Sequence, residues 1–395
     1  MPMKILISNK FYYNRGGDCV ASIALEKLLQ QKGHDVAFFS MQHPLNFHSE
    51  WESFFPSNID FQSNSWGKKI EAIKRLYFSE EVKSQFLKII NTFKPDIVHL
   101  NNIHSQISPL IGELAHQKGI KVIWTLHDYK LICPCYTCLN KNNVCNLCIS
   151  SQNPFHVIEN KCMKGSFLAS VLAYIEALIW NKKRLIQNTD IFISPSSFLA
   201  KRMIDGGFPS DKLRILRNFT NREYPQQINT IKKDYFCYVG RLSQEKGLKT
   251  LLNATKQLPY KLIIIGTGPL ANTFSESNSK IKFVGFKEWN EISTILQESR
   301  FMVIPSEWYE NNPISVIESQ CLGTPVLGAN IGGIPEVIEE YKNGLLFESG
   351  NSDDLKEKIE LMYHMPFDYT KISQEALKKY SAENYYRELI KIYNE

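Results

Sequence analysis

Short apolar runs alternate with helical patterns along the whole chain, and this alternation leaves few folds open. Strand-like runs lie near residues 4–8, 35–40, 96–100, 120–126, 190–194 and 213–217, then near 235–240, 261–265, 281–284, 301–304, 325–328 and 344–347. Strands and helices in alternation argue for parallel sheets built from βαβ units. With 395 residues there is material for two such domains. The polar, proline-bearing segment 218–227 is the best linker, and a helical stretch from about Glu383 to Tyr393 closes the sequence. Open α/β sheets bind ligands beyond the carboxyl ends of their strands, so residues just after each run are the ones to read for chemistry.

Composition sets broad limits. Hydrophobic residues make up 43% and charged residues 22%, as in a soluble globular protein. A net charge of +6 favours anionic ligands or an anionic membrane surface, and is too small to argue nucleic-acid binding. The chain opens directly on a strand, without the apolar core of a signal peptide. The longest apolar stretch, Phe167 to Trp180, contains Glu176 and is too short to span a bilayer. A cytoplasmic location with reduced cysteines is the expectation.

The most informative segment is Pro305-Ser306-Glu307-Trp308-Tyr309-Glu310-Asn311-Asn312-Pro313-Ile314-Ser315-Val316-Ile317-Glu318. It follows the apolar run Phe301–Ile304 and reads as a strand-to-helix junction. Pro313 fits the first helical position and Asn312 the N-cap. Glu318 would project from the second turn while Glu310 stays in the loop. Free amides of the first turn suit a phosphate, and carboxylates beside it can accept bonds from sugar or ribose hydroxyls. Two solvated glutamates on an ordinary junction are the plain alternative.

Further motifs fall after other strands. Val239-Gly240-Arg241-Leu242-Ser243-Gln244-Glu245-Lys246-Gly247 puts two cations in a glycine-framed loop, as a diphosphate requires. Arg15-Gly16-Gly17 precedes a helix beginning near Asp18, where paired glycines let backbone approach an anion. His127 and Asp128 end the 120–126 run; a lone histidine is usually a satisfied core residue, but its position argues for a ligand contact. Gly266-Thr267-Gly268-Pro269-Leu270-Ala271 formally opens a dinucleotide fingerprint, weakened by Pro269. Ile331-Gly332-Gly333-Ile334-Pro335-Glu336 adds a last glycine pair.

The Glu310–Glu318 spacing resembles the Glu-x7-Glu signature of retaining family 4 glycosyltransferases, and Arg241-x4-Lys246-Gly247 resembles their diphosphate-binding pair. The resemblance runs from near residue 4 to near 347 and implies the GT-B fold, two Rossmann-like doubly wound domains facing a cleft. It implies an acceptor domain at 1–220, with 378–395 packing back on it, and a nucleotide-sugar domain at 221–377. By this resemblance Glu310 and His127 are catalytic. Arg241, Lys246, Glu318, Gly16, Gly17, Gly268, Asn311, Asn312, Pro313 and Ile314 bind the donor. It further implies a UDP- or GDP-linked sugar, a glycan or lipid-linked acceptor, surface polysaccharide or lipopolysaccharide assembly, and no catalytic metal. One departure is Asn218-Phe219, where many relatives have Asn-Gly. A nucleotide-sugar epimerase, a dehydrogenase and a non-catalytic, zinc-clipped binding module are the competing readings.

Two features stay open on sequence alone. Cys135, Cys138, Cys145 and Cys148 form two Cys-x2-Cys pairs with the spacing of a structural zinc site, or a loop of packed thiols. Basic amphipathic stretches at 66–78 and 164–184 suit peripheral contact with the inner face of a cell membrane, or are ordinary helices with one face on the core.

Overall fold

A computed structural model describes residues 2–59, 66–271, 273 and 279–395, with backbone alone at 66–71. The chain divides into two compact units. The first comprises Met1–Cys138, Cys145–Leu216 and Tyr386–Glu395, and the second Leu139–Val144 and Arg217–Tyr385.

The first unit is built on a six-stranded sheet of β1 (Lys4–Ser8), β2 (Asp35–Phe39), β3 (Ile97–Leu100), β4 (Lys121–Thr125), β5 (Ile191–Ser194) and β6 (Leu213–Ile215). Spatial order is β2-β1-β3-β4-β5-β6, with every pairing parallel. The second unit carries β7 (Tyr235–Val239), β8 (Lys261–Ile265), β9 (Ile281–Gly285), β10 (Met302–Ile304), β11 (Val326–Ala329) and β12 (Gly344–Phe347). Its order is β9-β8-β7-β10-β11-β12, again all parallel. These strands are the ones the apolar runs predict, to within two residues at each end. Helices cover such sheets on both faces, so the central strands are buried on both sides and mostly apolar: Ile97–Leu100, Ile191–Ser194 and Met302–Ile304 are buried throughout.

Strand order locates the sites. In each sheet the chain reverses direction of travel beside its first strand, and ligands bind at that switch point. In the first unit it lies between β1 and β3, and in the second between β7 and β10.

The last helix, α4 (Ala382–Asn394), belongs to the first unit from Tyr386 onward. His99, at the centre of β3, is fully buried between Tyr393 Oη at 2.6 Å and Thr125 Oγ1 at 2.7 Å. Lys121 Nζ donates to the Tyr393 carbonyl at 2.9 Å, and Arg214 pairs with Glu395. The division falls at Leu216/Arg217, four residues before the expected one, and the returning tail starts at Tyr386 rather than at 378. Contacts explain the offset: Phe219 packs on Tyr385 at 4.4 Å and the Thr220 amide bonds the Tyr380 carbonyl, tying 219–220 to the second unit. Among the described residues no helix is long and apolar enough to cross a membrane.

Candidate active site

At the second-unit switch point the loops after β7 and β10 are stitched together. The Glu307 amide donates to the Glu245 carbonyl at 2.8 Å, and Thr250 Oγ1 donates to Glu307 at 2.6 Å. Gly247 sits at φ 69°, and a Cβ there would lie 1.7 Å from the Pro305 carbonyl oxygen. Only glycine fits that conformation and that approach. Gly332, at φ 61°, closes the other side: a Cβ would lie 2.4 Å from the Glu310 carbonyl, which also accepts the Gly333 amide at 2.6 Å.

These loops bring Lys246 and Glu310 together. Lys246 Nζ donates to Glu310 Oε1 at 2.6 Å, and Ser306 Oγ donates to the same oxygen at 2.7 Å. Glu310 is buried, and burial alone would raise its pKa. The Lys246 charge and the hydrogen bonds outweigh that, so the carboxyl is held below its usual range and is ionised. The two cations predicted as a pair therefore differ. Lys246 is neutralised by Glu310, whereas the exposed Arg241 guanidinium has no partner among the described residues.

The helix entrance is shifted by one residue from expectation. α3 spans Ile314–Cys321, and extended Pro313 (φ −68°, ψ 114°) occupies the N-cap. Asn312 caps nothing, because its Oδ1 accepts the Asn218 amide at 2.9 Å while Asn218 Nδ2 donates to the Asn312 carbonyl at 2.9 Å. Asn311 lies between them and Glu310 in the loop. Glu318 does project from the second turn, where Arg222 Nε meets Oε1 at 3.2 Å. Burial nevertheless raises the Glu318 pKa. Gly268 lies against the Arg241 loop: Leu242 exchanges backbone hydrogen bonds with Thr267 and Leu270 at 2.9 and 3.0 Å. No helix opens in the described residues after Gly268 as far as Ala271, so the dinucleotide fingerprint is formal only. Glu336 takes Arg217 at 3.2 Å and is followed by no helix among the described residues before Ser352.

The first-unit switch point gathers a second charged group. α1 (Gly17–Gln31) begins after Gly16, and Asp18 in its first turn lies 3.8 Å from Lys10 Nζ. Burial raises the Asp18 pKa, but Lys10, His127 and the amides of the helix start bring it below the ordinary value. His127 Nε2 bonds Asn101 Oδ1 at 2.9 Å. An amide oxygen accepts, so Nε2 carries the proton and Nδ1 is the acceptor of the neutral ring. Burial lowers the His127 pKa, against the pull of Asp18 and Asp128. Asp128 is shifted upward by burial, and its Oδ1 accepts the Lys130 amide at 2.9 Å. A Cβ on Gly17 would meet nothing within 4 Å, so packing of the chain itself does not require glycine there. Sequence reading missed Lys10, Asp18 and Asn101 as site residues. For Asp18 there was a signal, an acid directly after a glycine pair at a helix start.

Thiols of the cysteine loop contact one another. Cys135 Sγ lies 3.4 Å from Cys133 Sγ and also bonds Cys162, while Cys138 bonds Cys133. Thiol neighbours and burial raise the pKa values of Cys135, Cys138 and Cys162. Among the described residues no three His, Cys, Asp or Glu side chains are set to hold one metal ion, so Cys135, Cys138, Cys145 and Cys148 are not grouped as ligands. The Cys145 amide donates to the Cys138 carbonyl at 2.8 Å, which closes the loop by backbone instead.

Two acid-base clusters at the switch points of two parallel sheets define a GT-B architecture, and comparison with known proteins identifies it. Residues 21–224 match the family model "Glycosyltransferase Family 4" and residues 221–383 match "Glycosyl transferases group 1". The chain belongs to this glycosyltransferase family. An uncharacterized 41.2 kDa protein in the cps region of Klebsiella pneumoniae is 23% identical over 347 residues, covering 81% of this chain and 86% of that protein. A putative colanic acid biosynthesis glycosyltransferase, WcaL of Salmonella typhimurium, is 24% identical over 45% of this chain and 48% of its own. Among solved structures, the lipopolysaccharide outer core galactosyltransferase WaaB superposes with TM-score 0.62 at 16% identity, covering 98% of this chain and 97% of WaaB. Anabaena HepE in complex with UDP-glucose gives 0.64 at 15%, covering 99% of each.

Proposed function

We propose that this glycosyltransferase moves a hexose from a UDP- or GDP-linked donor to a glycan or lipid-linked acceptor, with retention of configuration, in surface polysaccharide or lipopolysaccharide assembly. The observation that carries the reading is Glu310, bonded to Lys246 at 2.6 Å and held ionised, with the exposed Arg241 on the same loop as Lys246 and without a partner among the described residues. In this reading Arg241 and Lys246 take the diphosphate, with Asn311, Asn312, Pro313 and Ile314 lining its approach. Glu318 takes ribose hydroxyls, and Glu310 supports positive charge at the anomeric carbon. The bond from that carbon to the diphosphate breaks as the acceptor oxygen bonds to the same face. The acceptor proton passes to the leaving diphosphate. His127, Gly16 and Gly17 lie in the first unit, the glycine amides to face the donor phosphate or the acceptor and His127 to bond a sugar hydroxyl or orient the acceptor. Relatives named for colanic acid and amylovoran biosynthesis, and structural neighbours named with UDP or UDP-glucose, favour both the pathway class and the donor.

Thermal stabilisation by UDP, GDP, ADP, CMP and NAD tests it, with Arg241→Ala as control. A shift with one nucleoside diphosphate that the variant loses is the expected result. No shift with any diphosphate, or a shift with NAD alone, would overturn the donor assignment.

A further inference from the structure

The helix α2 (Phe167–Ile179) is packed with its polar side inward. Its buried residues are Ser170, Ala173 and Glu176. Leu168 is 67% exposed, Phe167 59% and Leu178 50%, with Ile175 exposed beside them. At 3.6 residues per turn these four fall within an arc of about 100°, opposite the buried three. A soluble amphipathic helix has the reverse polarity, and sequence alone left both arrangements open here.

The inward polar face is satisfied, so the orientation is not a packing accident. Glu176 accepts Lys130 Nζ at 2.8 Å and Ser105 Oγ at 3.0 Å, and Ser170 Oγ accepts the Met163 amide at 3.1 Å. Trp180, just beyond the helix, donates from Nε1 to the Leu76 carbonyl at 3.1 Å. Turning the apolar face inward would strand Glu176 and Lys130 in an uncompensated state.

Charge says what lies against the outer face. Exposed Lys161 and Lys164 precede the helix and exposed Lys183 follows it. Among the described residues none of the three has an ion-pair partner. A stripe of large apolar side chains bracketed by free cations matches an anionic lipid surface, where the stripe enters the acyl boundary and the lysines meet headgroups. A second protein chain would need matching acids at both ends of the stripe.

We infer that α2 docks the first unit on an anionic bilayer, apolar side down. The inference is independent of the donor and of the transfer reaction. It also has a consequence for the site. Lys130, held by Glu176 on the inner side of α2, donates its amide to Asp128 beside His127. The docking helix and the His127 loop therefore share one buried ion pair within the first unit.

Co-sedimentation of the full chain with phosphatidylcholine vesicles and with vesicles containing one third phosphatidylglycerol tests this. Binding to the anionic vesicles alone is expected, weakened by salt. Leu168→Ser/Leu178→Ser should lower it about tenfold or more without lowering Tm, since both side chains are exposed. Lys161→Glu/Lys164→Glu/Lys183→Glu should lower it and remove the salt dependence. Three results would overturn the inference: no binding to either vesicle, equal binding to both, or binding that both variants leave unchanged. A concentration-dependent dimer abolished by the serine variant would also overturn it, assigning the face to a second copy.

Discussion

The two switch points solve the same problem with opposite degrees of freedom. In the second unit, Lys246 and Glu310 are bonded to each other at 2.6 Å inside loops that glycines lock against one another. In the first, Lys10, Asp18 and His127 form a cluster of charged and titratable groups beside a glycine that the chain's own packing does not demand. One half is fixed by backbone and the other is left open around Gly17. Charge and geometry together are preorganised where a phosphate leaving group is expected. The first-unit cluster keeps charge but tolerates shape.

Breaking the ion pair should have the largest effect. Glu310→Gln removes the carboxylate charge and is expected to cut transfer about 100-fold or more, with folding intact by circular dichroism. An equal loss in His127→Gln would erase the difference in rank between the halves. Stability should then separate the glycines. Gly247→Ala adds a left-handed alanine and a backbone clash, and is expected to cost about 3 kcal/mol in urea unfolding. Gly17→Ala should cost under about 0.5 kcal/mol, because its Cβ meets open space, while still lowering transfer. A destabilised Gly17→Ala with unchanged activity would reverse the comparison.

A third contrast is in pH. His99 and His104 are both pushed down to about 3 by burial. The unfolded chain protonates them below about pH 6.5 while the folded chain does not, so their contribution is lost as pH falls through that value. Each costs about 1.4 kcal/mol per pH unit there. Glu26, raised to about 7 chiefly by burial, acts in the other direction from about pH 4.5 upward. Glu310, with its lowered pKa, holds its contribution until pH falls through the ordinary carboxyl range. Hydrogen exchange should therefore show β3 and β4 losing protection between pH 6.5 and 5 before β7 and β10. His99→Asn should flatten the first-unit slope by about one proton and Glu26→Gln should steepen it. Equal loss in both sheets would show that the units unfold together. The smallest effect expected is for Ser306→Ala, which removes one bond to Glu310 and should lower transfer a few-fold, read as kcat/KM.

What the sequence made legible follows the same division. Strands were readable because parallel strands are mostly apolar, and the Arg241–Lys246 and Glu310–Glu318 spacings were readable because each lies on one continuous segment. Lys10, Asp18, Asn101 and His127 come from segments separated by more than a hundred residues at the extremes, and only strand order assembles them. Asn312 was misread as a cap because its partner, Asn218, lies far away in sequence. The polarity of α2 was undecidable for the same reason, since Lys130 and Ser105 determine which face turns inward.

His99 and Lys121 carry one more consequence, for the order in which the molecule is made. Both belong to central strands of the first unit, and Tyr393 supplies one of the two side-chain partners of His99 and the carbonyl that takes the Lys121 ammonium. On the ribosome, β3 and β4 emerge long before that tyrosine. Until Tyr393 is made, the nascent first half holds His99 through Thr125 alone and lacks the carbonyl that takes Lys121. Loss of the final turn should therefore be felt first by the domain synthesised earliest.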